Sequence, residues 1–176
     1  MNRMTLLCSL IAILAVPALC DTAVPTLSVS IAILPLSEAG SVEVPKRVLH
    51  HGHDTHFHVV VSNVSDKPQR IWDEQWSEGY SALSFEVTDN SGKTWVIKKK
   101  ERSWTENAFS IWTLEPHESL VLDVNFTDSN TWEDFPHSQT VTMRAIFDVM
   151  TDGQSKEYAV WTGRVLSKSD KYIFSN

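Results

Sequence analysis

Cysteine is nearly missing from this chain. Its two copies, Cys8 and Cys20, sit together near the beginning. From Asp21 onward there is no thiol, which excludes disulfides, thiolate nucleophiles and Cys-ligated metal from that part of the protein. Long apolar runs are also scarce. Beyond Cys20 nothing approaches the roughly 18 consecutive apolar residues of a membrane-spanning helix. Glycine and proline number six and seven in 176 residues and are scattered as punctuation, with no low-complexity tract and no internal repeat. Positive charge is in deficit, 15 Lys and Arg against 22 Asp and Glu, for a net charge of −7. That balance repels nucleic acid and anionic membrane surfaces. One basic run exists, Lys98-Lys99-Lys100 with Arg102, and it reads as a solvated strand end.

Enzyme signatures are missing too. There is no nucleophile elbow and no glycine-rich phosphate loop. His117-Glu118 begins like a zinc-protease motif, but Val121 stands where the second ligand belongs. Asp128, Asn130 and Glu133 lack the glycine and the spacing of a calcium loop. The chain therefore reads as a non-enzymatic protein.

What is present begins with an address. Arg3 gives a positive start, an apolar run follows from Leu6 to Val16, and Ala18-Leu19-Cys20 has the small-x-small form that precedes signal-peptidase cleavage. Residues 1–20 are expected to be a signal peptide, and the product extracytoplasmic, periplasmic or secreted, with no transmembrane segment. Pro17 and Leu19 fit a lipoprotein signal poorly, so a lipid anchor at Cys20 is the lesser expectation. Removing this segment takes away Arg3 and leaves the product more negative still.

The remainder, residues 25–176, reads as a single domain with a period of two, the mark of half-buried strands. Leu27, Val29, Ile31 and Ile33 alternate with polar or small residues. Phe57, Val59 and Val61 do the same, as do Leu83, Phe85 and Val87. Leu120, Leu122, Val124 and Phe126 form one further row, and Val141, Met143, Ala145, Phe147 and Val149 another. Asp89-Asn90-Ser91-Gly92 and Asp152-Gly153 read as hairpin turns. One helical turn near Ser103–Ala108 is the single helix expected. The pattern predicts an all-β fold, an immunoglobulin-like antiparallel β-sandwich of about seven to nine strands.

Three stretches carry a resemblance. They are Val59-Val60-Val61-Ser62-Asn63-Val64-Ser65-Asp66-Lys67-Pro68, then Phe85-Glu86-Val87-Thr88-Asp89-Asn90-Ser91-Gly92-Lys93 followed by Trp95, and Leu114-Glu115-Pro116-His117-Glu118-Ser119-Leu120. In that order they resemble the bacterial intracellular proteinase inhibitor family, a small β-sandwich. His117 stands where the family's step before a late strand has glycine. The resemblance implies a sandwich fold and, as one reading of function, a secreted protease inhibitor.

Two clusters could carry chemistry. Five of the seven histidines lie between His50 and His58. If Phe57 and Val59 face a core, Asp54, His56 and His58 share the other face of the strand, with His53 reaching in from the loop. That donor set suits Zn or Cu. The second cluster is aromatic and acidic. Trp72 and Trp76 are mixed with Asp73, Glu74 and Glu78, and Trp132 lies beside Glu133 and Asp134. Aromatics among polar neighbours suit a protein or carbohydrate partner. The leading expectation is a binding or interaction module, with metal binding second. Asn63-Val64-Ser65 and Asn125-Phe126-Thr127 also fit the glycosylation pattern.

Overall fold

The computed structural model describes residues 25–33, 48–50, 57–104, 109–126, 128–134 and 139–175. The chain before residue 25, including the expected signal peptide, lies outside them.

Strand after strand follows the alternation. β1 (Leu27–Ala32), β3 (Phe57–Asn63) and β8 (Ser119–Val124) form an antiparallel sheet in the order β1-β3-β8. A larger sheet is built from β2 (Val48–His50), β5 (Leu83–Asp89), β6 (Thr94–Lys98), β9 (Gln139–Val149), β10 (Gly163–Leu166) and β11 (Asp170–Ser175). Its order is β2-β11-β9-β5-β6, with β10 also on β9. β4 (Gln69–Trp72) and β7 (Ile111–Leu114) make a separate two-stranded ribbon. All pairings are antiparallel except β2 with β11, which run parallel. The expected all-β, sandwich-like architecture is what the chain forms, but with eleven strands among the described residues where seven to nine were expected.

The core lies between the two larger sheets. Phe57, Val59 and Val61 from β3 and Val124 from β8 are at most 1% exposed, as are Phe85, Val87, Val141, Met143 and Phe174 from the larger sheet. Phe57 meets Phe85 edge-to-face at 5.6 Å, and Phe126 meets Phe174 at 6.1 Å, so the two inner faces interlock through rings. Each such side chain contributes on the order of 1.5–3 kcal/mol on burial. β9 is the hub. Leu83–Asp89 runs along one of its edges, while Asp170–Phe174 and Gly163–Leu166 share the other, end to end.

Asn63 fastens the end of β3. Its amide nitrogen donates to the carbonyls of Lys67, Leu114 and Glu115, and its oxygen accepts from the backbone and the hydroxyl of Ser65. At 1% exposure this glycosylation-pattern residue is a structural post, with its nitrogen fully engaged.

Two local expectations need correcting. Asp152-Gly153 is not a hairpin turn. It opens a short helix, α2 (Gly153–Glu157), because Asp152 and Ser155 cap each other reciprocally, a stronger local choice than a two-residue loop. A further helix, α1 (Ser77–Ser81), forms where none was expected, the single expected helical turn having been placed near Ser103. Of the helical turn expected near Ser103, residues 103 and 104 show no helix and 105–108 lie outside the described residues.

Candidate functional site

The three tryptophans expected to anchor a partner are not on the surface. Trp72, Trp76 and Trp132 are 2%, 4% and 3% exposed. Trp72 and Trp76 form an aromatic plug with Phe109 and Tyr158, the Trp76–Phe109 rings 4.6 Å apart. Trp132 packs edge-on against Phe85 and Phe126, both at 5.4 Å. Glu74, Glu133 and Asp134 face water while the indoles turn inward with Asp73 buried beside them, since burying so large an apolar surface outweighs the polar context in sequence. An exposed indole rim is therefore replaced by a buried one.

The histidine cluster is only partly visible. His53, Asp54 and His56 lie outside the described residues. His58 is half-buried on the outer face of β3, directly opposite Asp123 of β8, with Nδ1 3.5 Å from a carboxylate oxygen. His50 belongs to β2, in the other sheet. Among the described residues no three metal-ligating side chains come together.

The structure instead brings together a set that the sequence pattern did not single out. A cleft of about 680 Å³ opens where the end of β6, the loop before α1 and the 128–132 turn meet. That is within the usual range for small-ligand sites. The 128–132 turn is built by Asp128, whose carboxylate accepts from the Asn130 backbone (3.0 Å) and the Thr131 hydroxyl (2.6 Å). The Trp132 N–H then returns to the Asp128 carbonyl. This turn lies against the strand end: Lys100 N–H donates to the Thr131 carbonyl, Glu133 N–H donates to the Lys98 carbonyl, and Lys99 bridges Trp132.

Lys99 is in phase with Trp95 and Ile97, so its side chain turns inward as the strand ends. It is the middle residue of the run expected to be a solvated strand end, and its side chain is only 8% exposed. The ammonium sits 4.7 Å from the Tyr80 ring centre and 5.7 Å from that of Trp132, with Glu74 at 3.5 Å. Burial pushes the Lys99 pKa down, and Glu74 offsets this only in part. Tyr80 is delivered by α1, which is seated on the backbone of residues 72 and 73 at Gly79. Asp73 braces the same loop. Burial alone would raise its pKa, but hydrogen bonds from Gln75, Ser110 and Trp112 outweigh burial and hold it below the ordinary value. Trp104 meets Tyr80 edge-on at 5.6 Å, and the Arg102 guanidinium lies over Trp104 at 4.9 Å. Cations and rings thus line one wall, from Trp132 through Lys99, the paired rings of Tyr80 and Trp104, to Arg102.

The cleft's acids have local commitments. Glu74 pairs with Lys99, Asp123 faces His58, and Asp128 is spent on its own turn. Gln75, Ser103 and Asn125 add neutral polar groups. Such a surface sets charged and polar groups beside flat rings. Trp132 is the one sequence-predicted residue in it; the in-phase position of Lys99 was the readable sign of the rest.

Fold and cleft together define an all-β, sandwich-like protein with a mixed aromatic and charged recess. No family model matches the sequence, and no curated protein matches it. Among solved structures, the chain is similar to Spo0M, a sporulation control protein from Bacillus subtilis, at 12% identity and a TM-score of 0.41. That match covers 87% of this chain and 51% of the other, so this chain spans about half that protein's length.

Proposed function

We propose that this protein is an exported, non-enzymatic binding module that takes its ligand in the cleft between Tyr80, Lys99, Trp104 and Trp132. Export rests on the sequence of residues 1–20. The binding reading rests above all on Lys99. Desolvating an ammonium costs several kcal/mol, and a carboxylate about half in water together with the Tyr80 and Trp132 rings returns only part of that. A simple apolar residue would fill the position more favourably, so the charge is retained for what it contacts. The commitment of all three acids to local partners favours holding a ligand over proton transfer.

The test is an array of oligosaccharides and peptides probed with the wild type, Trp104→Ala, Lys99→Met and the surface control Met150→Ser. Signals lost in both cleft variants and kept in the control support the reading. A silent array, or signals indifferent to Trp104→Ala, removes the cleft as the binding site.

A further inference from the structure

Within that reading, the chemistry of the cleft also narrows the ligand. Among the described residues no carboxylate pairs with Arg102. Its guanidinium carbon lies over the Trp104 ring, 4.9 Å from the ring centre, so the cation and the ring flank the same space. A carboxylate is the partner that such a planar fork takes two-handed. Close by, Lys99 is a second cation whose partner, Glu74, is 49% exposed and can yield its place.

The rest of the lining limits how much charge the ligand can bring. Glu74, Asp123 and Asp128 face the same space, so a densely anionic ligand is repelled there. Carboxylates do accept hydrogen bonds from hydroxyl groups, and Gln75 and Asn125 can both give and accept them. The half-buried ring of Trp104 offers a flat apolar surface against which the C–H face of a sugar ring can lie. One carboxylate, several hydroxyls and a flat apolar face describe an acidic monosaccharide unit within a glycan. We infer that the cleft binds a carboxylated saccharide, its carboxylate on Arg102 and its ring against Trp104. This inference rests on the cleft being the binding site.

The experiment titrates the folded protein with an oligogalacturonate, with the same oligomer reduced to its neutral sugar, and with a sulfated oligosaccharide of equal length. Intrinsic tryptophan fluorescence or calorimetry provides the readout. The carboxylated oligomer should bind at least tenfold more tightly than the reduced one. Arg102→Gln, at an exposed position that leaves the core untouched, should cut that tenfold preference to less than about twofold. Trp104→Ala should weaken both. Equal affinity for the acidic and reduced oligomers, tighter binding of the sulfated one, no response to Arg102→Gln, or no binding of any saccharide each overturns the inference. A wild type with no preference, whose binding still depends on Trp104, would sink the carboxylate assignment alone. Binding indifferent to Trp104→Ala would sink the cleft reading as well.

Discussion

Lys99 and Trp132 are partners twice over: their backbones form an isolated bridge, and the ammonium of one stands 5.7 Å from the ring centre of the other. The bridge aims the charge and the indole covers it. One local pairing sets both, where the cleft wall meets the core.

The first expectation follows from that burial. Lys99→Met should leave the fold intact and raise stability by roughly 1 kcal/mol at neutral pH, since an apolar chain of similar length replaces a poorly paired buried ion. The wild type should also close part of the gap in alkali. Its folded pKa lies below the ordinary 10.5, so the unfolded chain holds more protons between those two values and stability rises with pH across that window. Urea unfolding of both proteins at pH 7 and pH 10 measures this. A drop of more than about 2 kcal/mol in the variant would mean that the ammonium supports the fold.

Acid should act in the opposite direction through the turns. In Asp89 the Ser91 hydroxyl, in Asp128 the Thr131 hydroxyl and in Asp152 the Ser155 backbone N–H are the main causes that hold each carboxyl below the usual 3.8. The stability these groups supply is complete above that value and is lost as pH falls through their lowered pKa values. The wild-type Tm should fall steeply below pH 4. In the triple variant Asp89→Asn, Asp128→Asn, Asp152→Asn it should start lower at pH 7 and fall less. Parallel curves would refute the linkage.

His117 occupies a left-handed backbone conformation, φ 67°, as the third residue of a turn closed by the Glu118 N–H on the Glu115 carbonyl. With Pro116 before it, this is a position that favours glycine. His117→Gly should therefore stabilise the protein by roughly 0.5 kcal/mol, the relief of strain exceeding the added freedom of the unfolded chain. A lowered urea midpoint would show that the imidazole makes a contribution larger than the strain.

Gly79 should tolerate no side chain. A Cβ there would overlap the Asp73 carbonyl and come within 2.9 Å of the Trp72 carbonyl oxygen, both parts of the backbone that seats α1. Gly79→Ala is expected to cost roughly 2–3 kcal/mol and to disturb Tyr80. Gly153→Ala, with nothing within 4 Å, should be neutral or mildly stabilising. Similar midpoints for the two variants would contradict this seating of the helix.

The strands were readable because the inward rows of Phe57 to Val61, Leu83 to Val87 and Val141 to Val149 obey a two-residue period that nothing else imitates. Both helices were missed because five residues is too short for a helical period to show; Asp152 and Ser155 carried the one available sign, a capping pair. The tryptophans misled through their neighbours. The acids beside Trp132 looked like a wet surface and do face water, whereas Asp73 beside Trp72 is buried too, its carboxylate satisfied by Gln75 and Ser110. Lys99 was hidden in the same way, as the inward member of a run whose flanking lysines are more ordinary. The cleft joins residues about 60 positions apart in sequence, and no local pattern reports such a meeting.

The placement of β9 has a consequence for how the molecule comes into being. β5 finds its main neighbour only when residues 139–149 have been synthesised, and β10 and β11 follow later still. A nascent chain emerging from the ribosome must make some fifty further residues before Leu83, Phe85 and Val87, already paired with β6 on one side, gain β9 on the other. Collapse to the finished molecule is a late event, and the half-made polypeptide is the form most in need of a chaperone.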